Sequence, residues 1–131
     1  YDTDMNEMSY YENISLLAYS PLAGGLLTGK YLNNEMPTDS RITRVSTIGD
    51  RVNKNAMKAV QEYMKISKKF NIHPVHLALA FCTKRPFMGS VIFGATTDEQ
   101  LDVVIKGLDV DLNDEIMKEI SLVYKNYALT F

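Results

Sequence analysis

Cross-linking and membrane chemistry have little to work with in this sequence. A single cysteine, Cys82, permits no internal disulfide and no cysteine-rich metal cage, which suits a reducing, cytoplasmic compartment. Tryptophan is absent, and no apolar run approaches the roughly 20 residues that span a bilayer, so no membrane partner is expected. A charge excess is missing as well: 14 Lys and Arg stand against 16 Asp and Glu. Without a basic field, nucleic acid is not an expected partner either. Internal repeats and low-complexity tracts are also absent. What remains is an ordinary globular composition, 46% hydrophobic and 23% charged, which excludes a disordered tail or a collagen-like rod. At 131 residues the chain has the size of one domain. It opens on Tyr1 instead of Met, with no signal-peptide pattern, and is read as a piece of something longer.

Periodicity and turn residues divide the chain into alternating elements. Asp2 to Glu12 is polar with scattered Met and Tyr, the tail of a helix. Ile14 to Tyr19 is a short apolar run stopped by Ser20-Pro21, which reads as a buried strand of a parallel sheet. A loop rich in glycine follows, and Asn33 to Asp50 has turn residues without a sustained period, a long ordered loop. Arg51 to Phe70 predicts a helix, with Lys65, Lys68 and Lys69 in its last turns, where cations suit the helix dipole. His73-Pro74 starts a second helix, since proline is well tolerated at the first helical position. Ser90 to Phe93 is a second buried strand, closed by Gly94. Thr97 to Gln100 forms a capping box for a helix that runs to about Lys106, and Asn113 caps a final one. The order is that of two βα units of a parallel α/β protein. Two parallel strands are too few for a complete domain of that kind.

The glycine-rich stretch invites a P-loop reading, because Gly24 to Lys30 is Gly-x-x-x-x-Gly-Lys directly after a strand. That motif requires Ser or Thr next, whose hydroxyl meets magnesium, and then a helix. Tyr31 stands there instead, and Tyr31 to Pro37 supplies no helix. The P-loop reading fails.

The whole run from Ala18 to Tyr31, Ala-Tyr-Ser-Pro-Leu-Ala-Gly-Gly-Leu-Leu-Thr-Gly-Lys-Tyr, resembles the seventh strand and following loop of the aldo-keto reductases. These are NADP(H)-dependent enzymes built on a (β/α)8 barrel, and the likeness is greatest to their branch related to potassium-channel β subunits. It extends to Ser40-Arg41 and to Gly94 through Leu101 after the next strand. The resemblance implies that residues 1–131 are the C-terminal portion of one barrel domain, its last two βα units. Both motifs would then lie beyond the C-terminal strand ends, where sites of such barrels sit. It implies cofactor contacts residue by residue. Tyr19 matches the aromatic residue that stacks on the nicotinamide ring. Ser20, Leu22, Ala23 and Gly24 match the loop that wraps the pyrophosphate, where small residues let amides approach an anion. Lys30 and Arg41 match the basic residues that hold phosphates. Gly94 opens the second motif, and Thr96 and Gln100 match contacts to the adenosine phosphate at a helix N-terminus. The capping box alone also explains Gln100. Val103 and Val104 depart from the family, which usually carries a polar residue and then Asn there.

Other residues carry bland readings. His73 and His76 lie three apart on a helix but have no carboxylate or thiolate spaced to complete a metal site. Cys82, within an apolar helix, reads as a small core residue. By the resemblance, the catalytic Asp, Tyr, Lys and His belong to the first four strands, so no catalytic residue is assigned in this chain. The implied parent reduces aldehydes or ketones with NADP(H), and the isolated chain is expected to be inactive. The alternative is a non-catalytic NADP-binding or redox-sensing subunit, or a truncated inactive product. Expected partners are a small carbonyl substrate in the parent, and either the missing N-terminal barrel portion or another copy of this chain.

Overall fold

The structure, a computed structural model, describes residues 1–2, 4–45 and 52–128. In chain order it has helix α1 (Asn6–Glu12), strand β1 (Leu16–Tyr19), a 3-10 loop over Ala23–Thr28 and a short helix α2 (Arg41–Arg44). Helices α3 (Lys54–Lys69) and α4 (Pro74–Thr83), strand β2 (Met88–Ile92), and helices α5 (Asp98–Lys106) and α6 (Asp114–Asn126) follow. The two strands pair in parallel, with Leu17 opposite Ser90 and Tyr19 opposite Ile92. This is the α/β order expected, with an open two-stranded sheet.

Polar side chains fix the helix starts. Asn53 Oδ1 accepts from the amides of Asn55 and Ala56, so α3 begins at Lys54. The predicted start at Arg51 lies outside the described residues. His73 Nδ1 accepts from Val75 N at 3.2 Å, with Pro74 at the first helical position. Thr97 Oγ1 accepts from Gln100 N and Asn113 Oδ1 from Ile116 N, as expected. Ser40, predicted within a loop, caps α2 by accepting from Thr43 N. The predicted loop therefore includes the end of a 3-10 turn (Leu32–Asn34) and the α2 turn, both too short to show a period; residues 46–51 are not described.

Both strand boundaries move. Ile14 does not join β1, because its amide donates to Ser9 O to close the end of α1, where Asn13 is left-handed. Strand β2 starts two residues before Ser90. Met88 pairs with Leu16 and Ser90 with Leu17, so Gly89 is the extra residue of a bulge. A Cβ there would stand 2.6 Å from Ser15 Cβ, which explains why glycine interrupts the strand. The expectation of buried strands is not met within this chain: Leu17 is 61% and Ile92 51% exposed. Helices cover only part of the sheet, and the alternate side chains face solvent.

Helix α4 is apolar around its circumference and joins two cores, as such a helix must to remain buried. Leu77 packs with Ala59 and Ile66 of α3 and with Ile116, Ile120 and Val123 of α6. Val75 and Leu79 pack with Val104 of α5, with Leu22 and Val91 against them. A third cluster, Leu26, Tyr31, Ile42 and Val60, anchors the loop after β1 to α2 and α3. Leu26 is 1% exposed, and burying a leucine fully is worth about 1.5–3 kcal/mol.

Candidate functional site

Parallel pairing brings the C-terminal ends of β1 and β2 side by side, and the Ser20 amide donates to Ile92 O at 3.3 Å. The segments Tyr19–Gly24 and Gly94–Gln100 therefore leave the sheet at the same end. Tyr19 ends β1 with its side chain 76% exposed. The backbone then turns sharply: φ is positive at Ser20 (62°), Ala23 (50°) and Gly24 (68°). Positive φ at residues other than glycine is uncommon and stored where surrounding packing holds it. Leu22 supplies that packing by tucking against Val75, Leu79 and Val104. Ala23 N donates to Ser20 O at 2.8 Å and Gly25 N to Leu22 O at 2.8 Å, closing two successive turns.

The basic residues sit further along the same loop. Lys30 is exposed, its Nζ 5.1 Å from the centroid of the Tyr31 ring. Arg41, also exposed, opens α2, which Ile42 pins to Leu26 and Tyr31. On the other strand, Gly94 is exposed, and a Cβ there would meet nothing within 4 Å. Gln100 Oε1 accepts from both the amide and the hydroxyl of Thr96, at 3.0 and 3.2 Å. The expected capping box is thus shifted by one residue, because the Gln100 side chain reaches Thr96 instead of the Thr97 amide.

The flagged residues outside this shelf have structural work. Val104 is 4% exposed in the α4–α5 interface, so a packing requirement accounts for its apolar character. His76 Nε2–H donates to the Val103 carbonyl at 2.8 Å, a role that no local sequence pattern reveals. Burial raises the Cys82 thiol pKa, consistent with a small, partly buried core residue. Arg85 lies over the Phe81 ring and donates to Asp2, tying the start of the chain to the end of α4. Two clefts, of about 650 and 480 Å³, lie elsewhere: one beside α1 and the N-terminal end of β1, the other between α3 and α6. No described helix is long and apolar enough to cross a membrane.

The sequence matches the model of the Aldo/keto reductase family over residues 2–125. It is 38% identical over 128 residues to Protein tas of Escherichia coli, covering 98% of this chain and 37% of that protein. It is 32% identical over 118 residues to a probable voltage-gated potassium channel subunit beta of Oryza sativa, covering 86% of this chain and 36% of that one. Among solved structures it resembles the glycerol dehydrogenase of Gluconobacter oxydans, with a TM-score of 0.73 and 20% identity. That likeness covers 97% of this chain and 39% of the other, and speaks to the fold alone. The chain thus spans little more than a third of the length of these relatives. A family match over nearly all of its length shows that this chain belongs to the aldo/keto reductase family.

Proposed function

We propose that this chain forms the last two βα units of a (β/α)8-barrel oxidoreductase that reduces aldehydes or ketones with NADP(H), in a reducing, cytoplasmic setting. The observation that carries the reading is the convergence of the two motifs on one end of a parallel strand pair. The shelf suits a dinucleotide: an exposed aromatic face at Tyr19, a loop tightly wound through Ser20, Ala23 and Gly24, and open space at Gly94. Bound there, the nicotinamide supplies the hydride. Tyr19 would offer its ring face to the nicotinamide, and the Ser20–Gly24 loop, anchored by Leu22, would hold the pyrophosphate. Lys30 and Arg41, which have no carboxylate partner among the described residues, would meet phosphate, and Thr96 and Gln100 would meet it at the start of α5. No catalytic residue is assigned to this chain; proton transfer to the carbonyl oxygen falls to strands outside it. The small carbonyl substrate would lie between those strands and Tyr19.

A second reading, a non-catalytic NADP-binding or redox-sensing subunit, is favoured by the likeness to proteins named as potassium-channel β subunits. Both readings require the cofactor. Titration of the full-length protein with NADPH and NADH, following nicotinamide fluorescence, tests that requirement. Each charge-assisted bond to the extra phosphate contributes about 1.5–3 kcal/mol, so Lys30→Ala and Arg41→Ala should each weaken NADPH roughly tenfold or more. NADH should be little affected. Equal affinity of the wild type for the two cofactors would remove both residues from the site.

A further inference from the structure

We propose that Gly25 and Tyr31 form a seat that fixes the Lys30 ammonium, so that both set the preference for a 2′-phosphorylated cofactor without touching it. The inference rests on the cofactor reading above and deepens it. An exposed lysine has four rotatable carbon bonds and ordinarily samples many rotamers. Among the described residues Lys30 has no carboxylate partner that would hold it. Its side chain instead folds back over the loop. A Cβ built on Gly25 would stand 3.0 Å from Lys30 Cε and 3.2 Å from Nζ. The same Cβ would lie 3.4 Å from Tyr31 Cε2. The Lys30 stem therefore occupies the space left by the missing side chain, with the tyrosine ring alongside. The ring cannot swing away, because Tyr31 is 2% exposed and packed among Leu26, Ile42 and Val60. The loop geometry is fixed too: Thr28 Oγ1 donates to Gly25 O at 2.8 Å and accepts from Lys30 N at 3.4 Å. Gly25 adopts φ +97°, a conformation L side chains rarely take, so the backbone selects glycine there, and any added methyl would push the Lys30 end aside. Among the described residues the buried Tyr31 hydroxyl has no hydrogen-bond partner, so the ring, and not the hydroxyl, makes the seat. A cation held in one place binds an anion without first losing its own freedom.

The test is fluorescence titration of the full-length protein with NADPH and NADH, comparing variants. Tyr31→Leu should weaken NADPH about two- to fivefold, the range for an exposed cation–π contact, and leave NADH unchanged. Tyr31→Phe, which keeps the ring, should retain the wild-type ratio. Gly25→Ala should lower the NADPH-to-NADH preference in the wild type but not further in a Lys30→Ala background. That last pair decides the matter should Tyr31→Leu fail to fold. Equal losses for both cofactors, or wild-type preference in Gly25→Ala, would overturn the seat while Lys30→Ala still weakens NADPH. A Lys30→Ala variant with undiminished NADPH affinity would instead overturn the phosphate reading, and the seat with it.

Discussion

Gly107 and His76 should behave as one unit in stability, although they are 31 positions apart and neither touches the shelf. Helix α5 tightens at its end: Gly107 N donates to Val104 O at 3.0 Å, leaving the Val103 carbonyl without its ordinary amide four residues on. His76 Nε2–H fills that vacancy at 2.8 Å. The ring reaches the carbonyl only because residue 107 has no side chain, since a Cβ there would stand 2.5 Å from His76 Cδ2 and 2.9 Å from Cγ. Its φ of −91° is available to any residue, so space and not backbone freedom selects glycine. Gly107→Ala should cost about 1–3 kcal/mol, the range for overpacking a filled interior. His76→Ala should cost a comparable amount, about 1–3 kcal/mol for a partly buried carbonyl left unpaired. The double variant removes the ring that the new methyl strikes, so its loss should be close to that of His76→Ala alone. Urea unfolding of the four proteins, with unchanged slopes, measures the cycle. Strictly additive losses would refute the packing argument, as would a Gly107→Ala protein with wild-type stability.

His73 gives a pH prediction. Burial first, and then the charge of nearby His76, hold its pKa below the usual 6.5. Its Nδ1 must stay unprotonated to accept from the Val75 amide. A folded-state pKa below the unfolded one means that the unfolded chain binds the proton more readily. The contribution is therefore complete above about pH 6.5 and is lost as pH falls through the depressed value. His73→Asn retains an acceptor cap that does not titrate, so it should flatten the acid side of a melting-temperature profile; an unaltered profile would exclude the cap. For residues 1–131 expressed alone, exposure of Leu17, Tyr19 and Ile92 should lead to self-association or partial folding. Light scattering that shows a monodisperse monomer, with a sharp cooperative melt, would contradict this.

Legibility in the sequence followed the range of the forces involved. The caps at Thr97 and Asn113 are local chemistry between a side chain and an amide three residues on, and are visible in the sequence; at His73-Pro74 the proline marks the helix start, while the imidazole cap on Val75 shows only in the structure. Asn53 is equally local but was masked by the apolar spacing, which drew the helix start back toward Arg51. Boundaries failed where a distant strand decided them: only pairing with Leu16 extends β2 back to Met88, and only that pairing makes Gly89 a bulge. The placement of the two candidate motifs was legible because each is a contiguous run at one of two adjoining strand ends. Its support was not, since Tyr31 packs on Ile42 and Val60, and His76 meets Val103 from another helix. Adjacent Gly24-Gly25 and Lys30-Tyr31 carried a weak signal, but nothing in the spacing says that one fills the space of the other.

Gln100 brings the two kinds of reading into competition, because a cap and a ligand contact each explain it. In the proposed site the two would use different atoms. The Thr96 amide can only donate, so the side-chain oxygen of Gln100 faces it, and the Thr96 hydroxyl meets the same oxygen. The NH2 group is then turned away from the cap, at the exposed start of α5, where amide donors and the helix dipole favour an anion. Capping therefore orients the donor that a phosphate would use. Gln100→Glu separates the roles, since it keeps an acceptor for Thr96 and substitutes a negative charge for the donor. A carboxylate in the first turn suits the dipole, so stability should be unchanged or slightly higher. NADPH affinity should fall roughly tenfold or more, the equivalent of losing one hydrogen bond to a charged group at about 1.5–3 kcal/mol. Gln100→Ala, which removes both functions, should lose stability and affinity together. Full NADPH affinity in the glutamate variant, measured beside a weakened alanine variant, would show that this residue acts through the cap alone.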